Sequence, residues 1–356
     1  VVSNAASVAG VALIGAEYLN KALFPVEMQT NYYRILIGLV SIIIFYTINL
    51  FGLRTSSRTQ NVLTIIKLVM VITLICAIFF GGQTTQLPSV FSTADGLPAT
   101  WSDYGKALGI CLIAVSFSFG GYQQTINFGG ETKEAKTVIP RSIHVGLGII
   151  ITLYMAINYA YVKVIGFEQL KTAESIAAIL AGQIFGPTGF TILSVLIFLS
   201  VLGYVNVNLL SNPRAMYAMG EEGALPKIFT RKTKKNEVMV VSLTIFTILS
   251  IFTLFYAKTF DKILNYTIFM DGAGMIFSAA TIFYLRKKTA HLDKSTIYTM
   301  KLYPLMPIIF ISAYLFVAVS IYNDDPNAAL NGIYIFIGFV AIYFINKFFS
   351  NRKAAS

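Results

Sequence analysis

The sequence predicts an all-α integral membrane protein, and three observations support that prediction. Of the 356 residues, 56% are hydrophobic and only 12% are charged, and the mean hydropathy is +0.71. Such a chain has too little polar surface to cover a water-soluble fold. Apolar runs long enough to cross about 30 Å of hydrocarbon recur along the whole chain, so they are spans and not a cleaved leader. Third, the basic residues cluster in alternate loops.

Ten spans follow from the apolar runs and the polar breaks between them. They are predicted near residues 1–20, 33–51, 60–80, 106–127, 141–166, 187–219, 238–257, 262–286, 303–322 and 330–349. The run at the amino terminus is membrane-like from its first residue, which is Val and not Met. We therefore expect a further segment upstream of residue 1.

The basic residues test this count, because loops on the cytoplasmic side hold most Lys and Arg. One alternate set of loops, together with the tail, holds 19 of the 27 basic residues: Arg54, Arg58, Lys133, Lys136, Arg141, Arg214, Lys227, Arg231, Lys232, Lys234, Lys235, Arg286, Lys287, Lys288, Lys294, Lys301, Lys347, Arg352 and Lys353. This pattern predicts a multi-pass protein of the cell membrane with a cytoplasmic C-terminus. The net charge of +11 is explained by topology, and no basic stripe with exposed aromatics indicates nucleic acid.

A glycine pair interrupts the fourth predicted span, in the sequence SFSFGGYQQ. Gly120 and Gly121 weaken a helix at this point. An unwound turn inside a membrane persists only where it lines a protein cavity or binds a ligand, so the pair marks a candidate ligand site. The alternative is close helix packing through small residues.

Two ionisable residues lie inside predicted spans. Lys67 is either an internal cation or proton site, or a side chain whose long stem reaches back to the cytoplasmic surface. Asp271 is the only carboxylate deep in its span, where ionisation costs about 2.5 to 3.5 kcal/mol. It must be paired, hydrated or protonated, which fits either proton coupling or a hydrogen bond that fastens neighbouring helices.

The other polar residues inside the spans predict structural roles. Asn158, Asn206 and Asn208 are expected to cross-link helices by hydrogen bonds. Cys76 and Cys111 lie in apolar runs and are expected to be small buried hydrophobic residues. No constellation of nucleophiles, acids or metal ligands predicts an enzyme, a metal site or a cofactor.

Four segments, in chain order, resemble the amino acid, polyamine and organocation (APC) transporter superfamily, especially its L-type and related bacterial amino-acid exchangers. LFGLRTSSRTQNVLTIIKL resembles a helix entry of the form NxxGxxxSAxxQNxxTxxK. FSFGGYQ resembles the helix break FAYGGWN or FAYDGW, and NFGGETKEAKTVIPRSI resembles the loop that follows it. NPRAMYAMGEEGALPKIF resembles SRxxYAMAxxGxLPxxF.

The resemblance implies the LeuT-like fold of two inverted five-helix repeats with rocking between two access states. The ten spans would then be family helices three to twelve, in one transmembrane domain over 1–356 that lacks its first two helices. Residues 1–80 would complete the first repeat, 106–257 would form the second, and 258–356 would add two helices and the tail.

The resemblance also implies the position of a substrate site at the break. Its predicted residues are Phe117, Ser118, Phe119, Gly120, Gly121 and Tyr122. The backbone carbonyls of Phe117, Ser118 and Gly120 would receive a substrate ammonium, with Phe117 closing over it. Gly121 and Tyr122 would shape the pocket, although Tyr122 stands where the family often has Trp.

Two further roles are implied for the ionisable residues. Lys67 matches a lysine that occupies the sodium position of sodium-coupled relatives, so the resemblance implies sodium-independent transport. Asp271 matches a recurrent acid, with either a coupling or a structural role.

The function so implied is secondary active amino-acid transport by alternating access, as proton symport or exchange, with an amino acid and the lipid bilayer as partners and a homo-oligomer left open. The alternatives are a non-transporting amino-acid receptor and a permease for polyamines or other organic cations.

Overall fold

The computed structural model describes residues 1–76, 79, 100–171, 176–256, 260–289, 291, 300, 302–327, 329–334, 336–338 and 340–341. The regular elements of this part of the chain are helices, as the composition predicts. They are α1 (Val2–Leu23), α2 (Asn31–Leu50), α3 (Leu53–Cys76), α4 (Trp101–Ser118), α5 (Ala135–Ile165), α6 (Phe167–Leu170), α7 (Ile176–Glu221), α8 (Val240–Tyr256), α9 (Phe260–Lys288) and α10 (Leu305–Asp324). Short 3₁₀ segments cover Val26–Met28, Tyr122–Glu131 and Lys227–Thr230, and an apolar helix covers Ala329–Gly338.

A helix lies over each of the ten predicted spans. Within the described ranges, six helices are both long and apolar enough to cross a bilayer, namely α1, α2, α3, α5, α10 and the Phe185–Glu221 part of α7. α7 begins earlier than predicted, and Gly186, with φ of +68°, kinks it just before Pro187. The end of the last predicted span, residues 342–349, and the basic tail lie outside the described residues.

The chain divides into two compact units. The first contains residues 1–91, 123–133 and 138–260, and the second contains residues 92–122, 134–137 and 261–356. This division does not follow the predicted repeat boundaries, which remain a prediction.

The core of the first unit is built around α1, which packs against α2, α7 and α8. Its inward face is made of small residues, among them Ala5, Ala9, Ala12 and Ala16, each at most 2% exposed. Small side chains allow helix backbones to approach closely where lipid offers no hydrophobic driving force. The approach is tightest at Gly15, where an added Cβ would lie 2.7 Å from Cγ1 of Val201 on α7.

Buried amides fasten the helices of the first unit. Asn206 on α7 is fully buried, accepts a hydrogen bond from Asn49 Nδ2 at 3.0 Å, and donates to Gln60 Oε1 at 2.9 Å and to the Ser56 carbonyl at 3.2 Å. The predicted cross-link at Asn206 is therefore confirmed, since it joins α7 to α2 and α3.

The other two asparagines differ from the prediction. Asn158 donates to the Tyr154 carbonyl of its own helix. Asn208 donates to the Tyr204 carbonyl and accepts from Asn212, both on α7. Asn212 in turn accepts a hydrogen bond from Asn4 of α1 at 2.7 Å. Asn208 is thus linked to another helix through Asn212. Asparagine side chains can bond to the carbonyl four residues earlier in their own helix, as both Asn158 and Asn208 do. The sequence does not reveal which asparagines take this local partner.

The second unit packs α4 against α10, with α9 and Ala329–Gly338 beside them. Ile113, Val317, Ile321 and Ala329 form its described apolar cluster. Gly109 of α4 lies directly against the Ser320 side chain of α10, and no larger residue fits there. Thus α4 is held at mid-length before it ends.

The outer faces of the helices are apolar, as expected for lipid contact. On α3, Val62, Ile65 and Val69 are each more than half exposed. The prediction that Cys76 and Cys111 are buried is wrong, because both are exposed. In a membrane protein an apolar run covers the lipid-facing side as well as the core, so apolarity alone does not indicate burial.

Candidate functional site

Helix α4 is interrupted at the glycine pair. Its last turn closes with the Phe119 amide donating to the Val115 carbonyl at 2.9 Å, and the helix ends at Ser118. Gly121 then has φ of +98°, a conformation that a residue with a side chain rarely adopts. The end of α4 lies about 18 Å along the helix axis from Lys106, the start of the predicted span, and this distance would place it near the middle of a bilayer core of about 30 Å.

The chain does not resume as an α-helix after the interruption. Tyr122–Glu131 is a 3₁₀ segment of ten residues, whereas runs longer than about four residues are uncommon. A long 3₁₀ stretch often marks a functional hinge. The interruption that the glycine pair predicts is thus present.

Close helix packing does not explain Gly121. An added Cβ there would meet nothing within 4 Å, in contrast to Gly15 and Gly109. Gly121 is needed for its backbone conformation. The substrate-binding roles of Phe117 to Tyr122 remain predictions, and the side chain of Phe117 lies outside what the structure describes.

The carboxyl end of α4 is exposed and carries a negative partial charge. The carboxyl end of a helix carries a partial negative charge of about half an elementary charge, which attracts cations. Ser118 and Gly120 are exposed here, and the Ser118 hydroxyl donates to the Ala114 carbonyl at 2.9 Å. That hydroxyl oxygen keeps its lone pairs for an incoming donor.

Tyr314 of α10 joins the interruption to α9. The side chains of Tyr122 and Tyr314 lie close enough to interact electrostatically. The Tyr314 ring also lies against Gly272, where an added Cβ would be 3.6 Å from ring atom Cδ1. Asp271, the neighbour of Gly272, is half-buried on α9. The second unit therefore brings Tyr122 and the α9 backbone beside Asp271 to the same tyrosine.

Lys67 belongs to the first unit and lies on the packed face of α3. Its neighbours one turn away on that face, Leu63 and Met70, are 7% and 8% exposed, and Leu74 is 3% exposed. Leu63 belongs to the main core cluster and Met70 to a second cluster that α3 forms with α5 and α7. Lys67 is itself half-buried between them, and its role stays a prediction.

A polar cleft lies at one end of the first unit. It has a volume of about 320 Å³ and is lined by residues of the α2–α3 turn, the end of the 3₁₀ segment, the end of α7 and the α7–α8 loop. Arg214 forms its main ion pair, with Nε 3.0 Å from Glu131 Oε1 and Nη2 3.1 Å from Oε2. The guanidinium also lies 4.8 Å from the Phe128 ring centroid and donates to the Leu210 carbonyl.

The cleft supports the predicted loop arrangement. Gly52 of the α2–α3 turn has φ of +97°, and an added Cβ would lie 3.1 Å from Asn236 Cβ in the α7–α8 loop. Both loops belong to the set that holds most basic residues. Their meeting at one end of the unit is what the alternation of Lys and Arg predicts.

Sequence reasoning missed Tyr314 and the pairing of Glu131 with Arg214. Nothing in the sequence around Tyr314 distinguishes it from the other tyrosines of the chain. A signal for the ion pair did exist, because Glu131 and Arg214 both stand at span borders within segments that carry the family resemblance. Their separation of 83 residues hides the contact.

The sequence model that describes amino acid permeases matches residues 1–342. The chain belongs to the amino acid permease family. This membership establishes an all-α, multi-pass membrane protein of the APC type, in agreement with the helices described above, and its family is one of transporters.

Curated relatives agree with the assignment. The chain is similar to the serine/threonine exchanger SteT of Bacillus subtilis (strain 168), with 27% identity over 90% of this chain and 70% of the relative. It is similar to amino acid transporter protein 6 of Caenorhabditis elegans, with 26% identity over 86% of this chain and 58% of the relative. For the large neutral amino acids transporter small subunit 2 of Homo sapiens, identity is 22% over 96% of this chain and 63% of the relative. The chain thus spans about three-fifths to seven-tenths of the length of these relatives.

Proposed function

We propose that this chain forms most of a secondary active amino-acid transporter that works by alternating access, as a proton symporter or an exchanger, without sodium. The observation that carries the proposal is the interruption of α4 at Ser118 to Gly121, followed by ten residues of 3₁₀ helix. Only a segment that lines a cavity or holds a ligand can leave the α-helix at this depth. The names of the relatives point to neutral amino acids as the substrates to test first.

The ammonium and the carboxylate of an amino-acid substrate need binding groups of opposite charge. The ammonium would lie at the carboxyl end of α4, where the helix dipole favours positive charge. Tyr122 and Tyr314 would form an uncharged wall beside it. The substrate carboxylate would need amide donors from elsewhere in the protein.

Lys67 is proposed to act as a fixed cation in place of sodium. An ammonium on the packed face of α3 supplies a positive charge without a bound ion. Asp271 is proposed either to relay a proton or to hold α9 in place. The C-terminus is proposed to be cytoplasmic, because the basic loops define that side.

The test is uptake of labelled amino acids into proteoliposomes that contain the natural protein, together with whatever segment precedes Val1. We expect uptake of at least one of serine, threonine and leucine, unchanged when choline replaces sodium. Uptake driven by an inward proton gradient identifies symport, and uptake that requires an internal amino acid identifies exchange. Binding without flux, or flux of polyamines alone, would overturn the proposal.

Two variants connect the flux to the site. Gly120→Leu is expected to abolish uptake by filling the interruption, and Lys67→Ala is expected to reduce it at least about tenfold, equivalent to about 1.4 kcal/mol. Gly148→Leu is the matched control, because an added Cβ at Gly148 meets nothing within 4 Å and the residue is exposed on α5. If Gly148→Leu were as inactive as Gly120→Leu, the interruption would not be the site.

A further inference from the structure

The loop between α7 and α8 carries a dense group of positive charges. The ten residues 227–236 contain five cations and no acidic residue, and all five cations are exposed: Lys227, Arg231, Lys232, Lys234 and Lys235. We refer to these five residues as the basic platform. The nearest acids in the sequence are Glu221, Glu222 and Glu237, and Tyr217 donates a hydrogen bond to Glu221 at 2.7 Å.

The loop that bears the basic platform is held in place by several contacts. Within it, the Thr233 amide donates to the Val238 carbonyl at 2.9 Å, and the Val238 amide donates to Thr233 Oγ1 at 3.0 Å. The Ser242 hydroxyl of α8 donates to the Phe229 carbonyl at 3.2 Å. Lys232 lies over the Tyr217 ring of α7, 4.2 Å from its centroid. The cations are therefore presented on a fixed surface, which reduces the entropy lost when a ligand binds.

The loop that bears the platform joins two apolar helices, so the membrane surface is its expected location. The loop starts directly after α7 ends at Glu221 and finishes directly before α8 begins at Val240. Beside Lys227, in the 3₁₀ turn Lys227–Thr230, Ile228 is 46% exposed. At a membrane surface, an exposed isoleucine between cations would have the acyl chain region of the bilayer as its apolar neighbour.

The polar cleft adjoins the platform. Lys232 and Asn236 belong to both the loop and the cleft wall, and Arg214 lies across the cleft. The cleft wall also holds Glu131, which pairs with Arg214, and Glu237. The platform cations outside the cleft must therefore supply the net positive charge for an anion held at the cleft mouth. The space of about 320 Å³ is larger than a phosphate group requires.

We propose that the basic platform and the adjoining cleft form a binding site for the headgroup of an anionic phospholipid, with Ile228 inserted beside the acyl chains. Clusters of four to eight cations next to a span attract anionic lipids. The observations that favour a lipid over a soluble phosphate compound are the position between two spans and the exposed Ile228. The proposal does not depend on which solute the protein moves.

The test is the number of lipids that the natural protein retains after extraction from nanodiscs containing equal amounts of phosphatidylglycerol and phosphatidylcholine, counted by native mass spectrometry. We expect preferential retention of phosphatidylglycerol. Lys234→Gln with Lys235→Gln is expected to weaken that preference by roughly thirtyfold, the factor for two cations near a membrane surface. Ile228→Ser is expected to weaken retention of the lipid while leaving the charge unchanged.

The control pair is Lys287→Gln with Lys288→Gln, two adjacent exposed lysines at the end of α9. Equal losses in the two double variants would show that general positive charge attracts the lipid, and would overturn the site. Displacement of phosphatidylglycerol by millimolar glycerol phosphate would show a site for soluble phosphate esters, and would also overturn the lipid assignment. Unchanged thermal unfolding in each variant establishes that a loss is not caused by misfolding.

Discussion

Glycine serves opposite purposes at two places in this protein. Where α1 crosses α7 in the first unit, Gly15 lies in an unbroken helix, and an added Cβ would meet Val201 at 2.7 Å. At the end of α4 in the second unit, Gly121 has open space around it and φ of +98°. The first glycine is required by its neighbours and the second by its own backbone. The comparison separates a glycine that strengthens a membrane helix bundle from one that opens a helix.

The largest expected effect on stability is at Gly15, where α1 crosses α7. Gly15→Leu forces a branched side chain into the space occupied by Val201 and should lower the free energy of unfolding by about 3 kcal/mol. The measurement is thermal unfolding of the purified protein. Gly15→Ala should be milder, and adding Val201→Ala should restore part of the loss, because the two residues share one contact. No rescue would mean that the close approach is not the cause.

The next largest effect on stability is expected at Asn206, whose side-chain amide joins α7 to α2 and α3. Asn206→Leu removes hydrogen bonds with Asn49, Gln60 and the Ser56 carbonyl and leaves buried polar partners unsatisfied, at a cost of about 2 kcal/mol. Asn158→Leu is the control, since its bond lies within one exposed helix turn. Equal unfolding temperatures for the two variants would contradict the cross-link.

A smaller effect on stability is expected at the interruption. Gly121→Ala places a side chain at positive φ, which costs about 1 kcal/mol, although the added methyl group touches nothing. Gly146→Ala also adds a methyl group in open space but within α5, and there alanine should be neutral or stabilising. If both variants unfold alike, the left-handed conformation at Gly121 is not a constraint on the fold.

The smallest effect on stability is expected at the amino-terminal end of α4. Thr100 and Asp103 form a capping box, with the Thr100 hydroxyl donating to Asp103 Oδ2 at 2.6 Å and the Thr100 amide donating to the same atom at 2.9 Å. These hydrogen bonds, the hydroxyl first, hold the pKa of Asp103 below its usual range. Asp103 precedes the predicted span 106–127.

Because the folded-state pKa of Asp103 is depressed, its small contribution to stability is present above the unfolded-state pKa. It is lost as the pH falls through the folded-state pKa. Thr100→Val should reduce the acidic pH dependence that belongs to Asp103, because only the amide hydrogen bond remains, and Thr100→Ser should keep it. The measurement is the unfolding temperature of both variants between pH 7 and pH 3.

The sequence was sufficient to predict the spans and the interruption, because both are local properties. Hydropathy over about 20 residues and two adjacent glycines are visible without a fold. The partners of polar residues were not predictable. Asn158 and Asn206 look alike in sequence, yet one bonds to its own helix and the other to residues 146 and 157 positions away. Tyr314 joined the site only through tertiary packing.

The 3₁₀ segment after the interruption is longer from end to end than an α-helix of the same ten residues would be. Its ten residues extend about 20 Å, whereas the same residues rewound as an α-helix would extend about 15 Å. Near its ends, Gln124 accepts a hydrogen bond from Ser211 at 2.8 Å and Glu131 pairs with Arg214, both on α7. These two contacts tie the segment to α7. If both were released and the segment rewound as an α-helix, its ends would approach by about 5 Å, so a local change of helix type would displace the chain by nearly a full helical pitch.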